Sequence, residues 1–217
     1  MSYTLVIIFS FSITIAAIIG WIRFKDINPA YYPFLYLVWI GLANEIIGYI
    51  ITHRGYSNAV NNNTYVLIEA VLITWQFKKW ELFERAKSLF VILLYSYILF
   101  WGIECFVFHR LFLIASYFRL YYSFVIVLMS INMINGQLMT ESRNIFRNPI
   151  FLICIAFLIY YIYKVIVGIF RLYGLSGSES FKHHLDLFMP YINLFANLIF
   201  ALAVLWMPKK HRFSLQF

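Results

Sequence analysis

Long runs of apolar residues, separated by short polar stretches, follow one another along the whole chain. Each run is about 20 residues long and does not alternate between apolar and polar positions, which is typical of membrane-spanning helices rather than barrel strands. We predict seven spans, at approximately residues 5–22, 33–52, 62–77, 89–108, 111–133, 149–170 and 186–206. The fourth and fifth would form a tight hairpin around His109-Arg110.

The composition agrees with a lipid environment. Of the 217 residues, 63% are hydrophobic and 12% are charged, and the mean hydropathy is +0.80, whereas a soluble domain is about half apolar and about a quarter charged. Lipid offers the backbone no hydrogen-bond partners, so helices must satisfy it internally. No hydrophilic stretch is long enough for a second domain. We therefore predict an all-α, polytopic membrane helix bundle that forms a single domain over residues 1–217.

Basic residues predict the orientation of this bundle. The first apolar run has no basic residue before it, and Arg23 and Lys25 follow it, which favours a retained span over a signal peptide. With seven spans, most basic residues fall on one side, which the positive-inside rule assigns to the cytoplasm. They are Arg23, Lys25, Lys78, Lys79, Arg85, Lys87, Arg143, Arg147, Lys209, Lys210 and Arg212, against Arg54, Arg110, Arg171 and Lys182 opposite. The N-terminus would be outside and the C-terminus cytoplasmic.

The same bias explains the formal net charge of +8, so we predict the lipid bilayer as a partner and no nucleic acid. A multi-pass position in the inner membrane of a bacterial cell is the expected location. The stretch NNNTYVLIE, from Asn61 to Glu69, resembles small seven-span bacterial membrane proteins of unknown role. That resemblance implies no mechanism.

Ionisable residues interrupt the apolar runs, although each unpaired charge in a span costs about 2.5–3.5 kcal/mol or more. Glu69 lies near the predicted midplane, and the others lie in the outer half on polar or small-residue stripes. We expect these stripes to converge on a hydrated cavity open to the outside. The candidate ligand-binding or buried polar cluster is Glu45, Glu69, Glu104, Arg119, Lys164, Asn193 and Asn197. With three acids and two bases, we expect Glu69 to lack a cation and to be either protonated or hydrated.

Two interpretations of the cluster have similar weight. The groups could be interhelical contacts that fix the register of the bundle, or they could line a binding cavity or solute pathway. At the outer face, His183, His184 and Asp186 form a candidate pH-sensing or metal-binding group. Because HHLD lacks a partner motif at metal-ligand spacing, we predict neither a metal nor a cofactor.

The sequence shows no GxSxG, HExxH or nucleotide-binding signature, so a binding protein is favoured over an enzyme. We expect a receptor-like or regulatory binding module that takes a small polar or amphipathic ligand in an outward-facing cavity. Lacking an effector domain, it would act through a partner protein or as a homo-oligomer. The alternatives are a small-solute transporter, proton-coupled through Glu69, and an intramembrane lipid-modifying enzyme that uses Glu69, Glu104, His183 or Asp186.

Overall fold

The computed structural model describes residues 3–140, 145–173 and 179–210, and within them it is helical apart from short connections, with no strand. The main helices are α1 (Tyr3–Ser10), α2 (Ile13–Arg23), α3 (Tyr32–His53), α4 (Ala59–Lys79), α5 (Lys87–Gly102), α6 (Ser116–Thr140), α7 (Pro149–Tyr173) and α8 (Glu179–Trp206). A π-helical segment, Ile103–Val107, continues α5. The predicted all-α class is confirmed.

Six helical segments of this described part are long and apolar enough to cross a membrane. They are Leu5–Arg23, Pro29–His53, Glu84–Val107, Ser116–Met139, Pro149–Leu172 and Leu187–Trp206. Large apolar side chains are exposed along them, among them Trp21, Ile98 and Phe124. Lipid is the environment in which such a surface is stable. The chain is therefore an all-helical membrane protein.

The helices form a closed ring in which α5 is peripheral. Helix α6 packs on α7, α7 on α8, α8 on α2, α2 on α3, α3 on α4, and α4 on α6, while α5 has fewer contacts, to α4 and α6. Phe34, Phe77, Phe157 and Phe200 meet inside the ring, with centroid separations of 5.2–6.3 Å. We call these four rings the aromatic floor.

The first predicted span is interrupted rather than continuous. Between α1 and α2 the backbone hydrogen bonds change to the i→i+3 pattern, as in Ser12 N to Phe9 O at 3.3 Å. The Ser12 hydroxyl also donates to the Phe9 carbonyl at 2.6 Å, and the Asn197 amide of α8 donates to the Ser12 oxygen at 2.9 Å. Serine back-bonding of this kind locally bends helices.

The predicted two-residue turn at His109-Arg110 is wrong. Residues 108–115 are non-helical, and α6 begins only at Ser116. The apolar run 111–114 suggested a helix, but these residues are not helical. Phe112, Leu113 and Ile114 are exposed on the surface of the bundle.

Asn63 of α4 replaces the missing helical hydrogen bonds of this segment. Its amide nitrogen donates to the carbonyls of Arg110, Leu111 and Leu113, the last at 2.6 Å, and its oxygen accepts from the Ala115 amide at 3.0 Å. Backbone groups that lack helical partners need others, and Asn63 supplies them here.

At the opposite end, Arg23 binds the C-terminus of α8. Its guanidinium donates to the carbonyls of Val204, Leu205 and Met207. Residues 26–28 also exchange backbone hydrogen bonds with residues 208–210, including Asn28 N to Pro208 O at 3.0 Å. We call this the Arg23 end of the bundle and the opposite one the Asn62 end.

Candidate functional site

Glu69 of α4 is the centre of the polar interior. The Tyr122 hydroxyl of α6 donates to Glu69 Oε2 at 2.6 Å, and the Tyr65 hydroxyl donates to Oε1 at 3.3 Å. Lys164 Nζ of α7 lies 3.5 Å from Oε2 and donates to the Tyr122 oxygen at 2.9 Å. Three helices are thus joined at one carboxylate, and the prediction that Glu69 lacks a cation is wrong.

Aromatic faces surround the lysine side of this pair. Lys164 Nζ lies 4.6 Å from the ring centroid of Tyr160, 5.0 Å from that of Tyr161 and 5.5 Å from that of Tyr122. Rings within about 6 Å attract a cation through their quadrupole. The side chains of Lys164 and Glu69 are only 14% and 7% exposed, so water contributes little to the stability of this ion pair.

A cavity of about 70 Å³ adjoins the carboxylate side of the pair. We call it the acidic cavity. Most of its lining residues belong to α3, α4, α7 and α8. Its polar lining consists of Ser10, Glu45, Tyr65, Glu69, Tyr160, Tyr161, Asn193 and Asn197. The structure therefore brings four of the sequence-predicted residues, Glu45, Glu69, Asn193 and Asn197, around one void large enough for water.

Glu45 has no ion-pair partner among the described residues. Ser10 lies with it in the lining of the acidic cavity. Ser10 is the last residue of α1, so the interruption of the first span places a hydroxyl beside this acid. The interrupted backbone lies at a cavity, as expected for irregular structure within a membrane.

The acidic cavity continues toward the Asn62 end. A second hollow, of about 280 Å³, shares Ser10 and Glu45 with it and extends to Asn44, Asn58 and Asn62. We call this hollow the vestibule. In the other direction Phe157 and Phe200 of the aromatic floor line the acidic cavity, and buried Phe34 packs against both rings. Polar side chains therefore extend from the acidic cavity toward the Asn62 end, and buried aromatic rings adjoin it in the other direction.

A separate cavity of about 180 Å³ lies on the lysine side of the ion pair. We call it the basic cavity, and its polar lining is Asn62, Ser116, Arg119, Lys164 and Arg171. Arg119 Nε is buried without a hydrogen-bond partner in the described part of the chain. The expected single void is thus two cavities, with the Glu69–Lys164 pair between them.

Glu104 lies apart from both cavities. Its carboxylate accepts hydrogen bonds from the backbone amides of Tyr117 at 3.0 Å and Phe118 at 2.6 Å. These amides belong to the first turn of α6, where a helix lacks internal acceptors and favours a negative charge. Glu104 therefore caps α6, and the π-helical segment that carries it directs its side chain there.

The side chains of the remaining predicted residues, His183, His184 and Asp186, lie outside the described part of the structure. Among the residues that the structure does describe, no cluster of three or more His, Cys, Asp or Glu side chains could hold a metal ion.

Sequence reasoning missed the tyrosines that join the charged groups. Tyr122 was not among the predicted site residues, yet it bridges Glu69 and Lys164. A signal was present, because tyrosines cluster beside each cation in YFRLYYS and YYIYKV. A buried hydroxyl needs a partner, and the nearest polar groups along the spans are these charges.

No protein-family model, curated protein or solved structure matches the chain. The case for a function therefore rests on the cavities and their lining residues.

Proposed function

We propose that α4 is a seventh span and that the N-terminus faces outside. Helix α4 has 21 residues, about 31 Å at 1.5 Å per residue, which matches a hydrocarbon core of about 30 Å. Its low hydropathy comes from residues such as Asn63, Glu69 and Gln76, all of which are buried. Because α4 connects two apolar spans and packs beside both, it must cross with them.

This topology places the vestibule on the outer side of a multi-pass protein in a bacterial inner membrane. Cysteine labelling in intact cells checks it: a cysteine at Tyr56, in the α3–α4 connection, should react with an impermeant maleimide, and one at Glu84 should not. The opposite pattern would reverse the orientation.

Within this frame we infer a receptor-like or regulatory binding module. Its site is the acidic cavity, entered through the vestibule. The observation that carries this proposal is Glu45, a carboxylate without a described cation partner that lies in both hollows. Charges within a membrane protein are rare because of their cost and commonly mark binding sites.

The lining favours a small ligand with a protonated amine or another strong hydrogen-bond donor. Glu45 supplies a negative charge, and Asn193 and Asn197 supply amide groups on the facing helix α8. An ammonium group at Glu45 would provide the counter-charge that the described residues do not. Apolar Ile13, Leu37 and Val38 line the same cavity, which suits a short hydrocarbon portion.

The aromatic floor favours binding over passage. Phe34 and Phe77 are 0% exposed and Phe157 is 1% exposed, so these packed rings stand between the acidic cavity and the Arg23 end. A carrier would have to separate these rings in each cycle. Of the four groups named for the lipid-modifying alternative, Glu104 is held at the α6 N-terminus and lines neither cavity, and the side chains of His183 and Asp186 lie outside the described residues.

Thermal unfolding of the detergent-purified protein tests this function with ethylammonium chloride as the probe and ethanol as its neutral counterpart. Ethylammonium should raise the midpoint in a saturable way and ethanol should not. Glu45→Gln should abolish the effect, whereas Glu84→Gln, which removes an exposed carboxylate at the other end, should retain it. If ethylammonium and ethanol behave alike, or if Glu45→Gln responds like the unaltered protein, the binding proposal is wrong.

A receptor-like module would transmit binding through another chain, either a protein partner or a second copy. Chemical cross-linking in membranes, with and without the ligand, should trap such a complex, and the cytoplasmic lysines Lys78, Lys79 and Lys87 provide the reactive groups. Uptake of labelled ethylammonium into protein-containing liposomes, abolished by Glu45→Gln, would instead identify a carrier.

A further inference from the structure

The basic cavity is lined by three cationic side chains, and one of them, Arg119, has no ion-pair partner in the described part of the chain. Arg119, Lys164 and Arg171 line it together with Asn62 and Ser116, and its described lining includes no acidic residue. Lys164 has Glu69 as its ion-pair partner. Arg119 forms no ion pair with any carboxylate in the described part of the chain, and its buried Nε has no hydrogen-bond partner there.

This arrangement is costly unless an anion compensates it. A guanidinium cannot lose its proton in a protein, so Arg119 remains charged at membrane depth, where an unpaired charge costs several kcal/mol. Packing more cations around the same void adds like-charge repulsion. A bound anion would remove both penalties at once.

We propose that the basic cavity is a binding site for a phosphate group, held chiefly by Arg119 and Lys164. Guanidinium presents a planar fork of donors that matches the oxygens of phosphate, and an ammonium adds a compact charge. The Ser116 hydroxyl and the Asn62 amide, which line the same void, would donate to further oxygens. At about 180 Å³ the cavity is ample for one phosphate group.

The cations form a path from the membrane boundary inward. Arg171 lies two residues before the end of α7, and Lys164 lies about 10 Å deeper, from seven residues at 1.5 Å each. Ser116 and Asn62 lie near the starts of their helices at the same Asn62 end. A phosphate group could therefore enter from a lipid headgroup or from water.

Anion binding is coupled to Glu69 through Lys164. The lysine Nζ is 3.5 Å from Glu69 Oε2, so a phosphate that engages the lysine competes with this carboxylate. Removing the Glu69 charge should therefore strengthen phosphate binding, and removing the Arg119 charge should weaken it. A nonspecific loss of stability would change both variants in the same direction.

Phosphate titration of the full chain in maltoside detergent, at constant ionic strength, tests the site, with thermal unfolding and direct binding as readouts. Phosphate should raise the unfolding midpoint saturably. Arg119→Gln should raise the phosphate Kd by about tenfold or more, because a charge-assisted hydrogen bond is lost. Arg119→Lys, the variant to use if Arg119→Gln does not fold, should weaken binding by a smaller factor.

The matched control is Arg54→Gln, which removes an exposed positive charge at the Asn62 end outside the cavity and should leave Kd within about twofold. Glu69→Gln should lower Kd. Equal effects of Arg119→Gln and Arg54→Gln, or a higher Kd in Glu69→Gln, would overturn the proposal.

A second titration distinguishes the sources of the phosphate group. Dihexanoyl phosphatidic acid is compared with dihexanoylglycerol, which lacks the phosphate. Binding of inorganic phosphate identifies a soluble source, and binding of the phosphatidic acid alone identifies a headgroup; both support the site. If neither inorganic phosphate nor the phosphatidic acid binds saturably, or if the uncharged glyceride binds equally well, the proposal is wrong. Phosphate and phosphatidic acid are anions, so the outcome is independent of the ammonium test on the acidic cavity.

Discussion

Lys164 Nζ lies 3.5 Å from Glu69 Oε2, and this ion pair lies between the acidic cavity and the basic cavity. The carboxylate faces the acidic cavity and the ammonium faces the basic one. Tyr122 completes the connection by donating to the acid and accepting from the base. A substitution of either residue should therefore alter the electrostatics of both cavities.

The pair should be strongly non-additive in stability. Lys164→Met leaves the Glu69 carboxylate buried without a cation and should lower the free energy of unfolding by about 3–5 kcal/mol. The double variant Lys164→Met/Glu69→Gln has no stranded charge and should be closer to the unaltered protein. A double-mutant cycle by chemical unfolding in detergent micelles measures the coupling. Additive single effects would show that the two groups do not interact.

The Tyr122 hydroxyl should contribute more than the Tyr65 hydroxyl. Tyr122→Phe removes a 2.6 Å bond to the carboxylate and an acceptor of Lys164, and should cost about 1.5–3 kcal/mol, as for hydrogen bonds to charged groups. Tyr65→Phe removes a longer bond of 3.3 Å and should cost less. Tyr117, which is 51% exposed, provides a near-neutral Tyr→Phe control. Thermal unfolding midpoints should rank in that order, and a reversed ranking would contradict the geometry.

Asn63 should hold residues 108–115 in place. Asn63→Ala removes every side-chain hydrogen bond to the carbonyls of that segment and to the Ala115 amide, with an expected cost of about 1–3 kcal/mol per buried group left unsatisfied. Hydrogen exchange of the Ala115 amide should accelerate, which localises the effect. Asn61→Ala, which loses bonds only to the side chains of Asn44 and Asn58, should leave that exchange unchanged.

Glu104 should behave as a helix cap rather than as a ligand group. Glu104→Gln weakens the acceptors of the Tyr117 and Phe118 amides and should cost about 1 kcal/mol, within the range for N-terminal caps. It should not alter ethylammonium or phosphate binding. Glu84→Gln, at an exposed position, is the stability control. A changed ligand affinity in Glu104→Gln would instead connect this residue with one of the cavities.

The positions of the helices could largely be predicted from the sequence because they depend on a local property. A run of about 20 apolar residues must be helical wherever it meets lipid, and six such segments are present in the described chain. The interruption at Ser12 and the non-helical residues 108–115 could not be predicted in this way. Asn63 bonds to the backbone of residues 108–115, and Asn197 bonds to the Ser12 hydroxyl at the interruption; both partners are distant in sequence.

The sequence predicted several residues of the candidate site but not which acid pairs with which cation. Helical spacing placed Glu45, Glu69 and Lys164 on inward-facing stripes, since lipid penalises charge. Charge counting then left Glu69 without a cation, whereas the structure pairs Glu69 with Lys164 and leaves Glu45 without an ion-pair partner among the described residues.

The sequence by itself thus determined the solvent, the helical class and the set of buried polar residues, because each of these follows from the cost of exposing a group to lipid. Only the tertiary structure decided which helices are neighbours, and with them the partner of each charge. An ion pair depends on a few ångströms between side chains on different helices, and no pattern along one helix specifies that distance. The division of one expected void into an acidic and a basic cavity follows from that pairing.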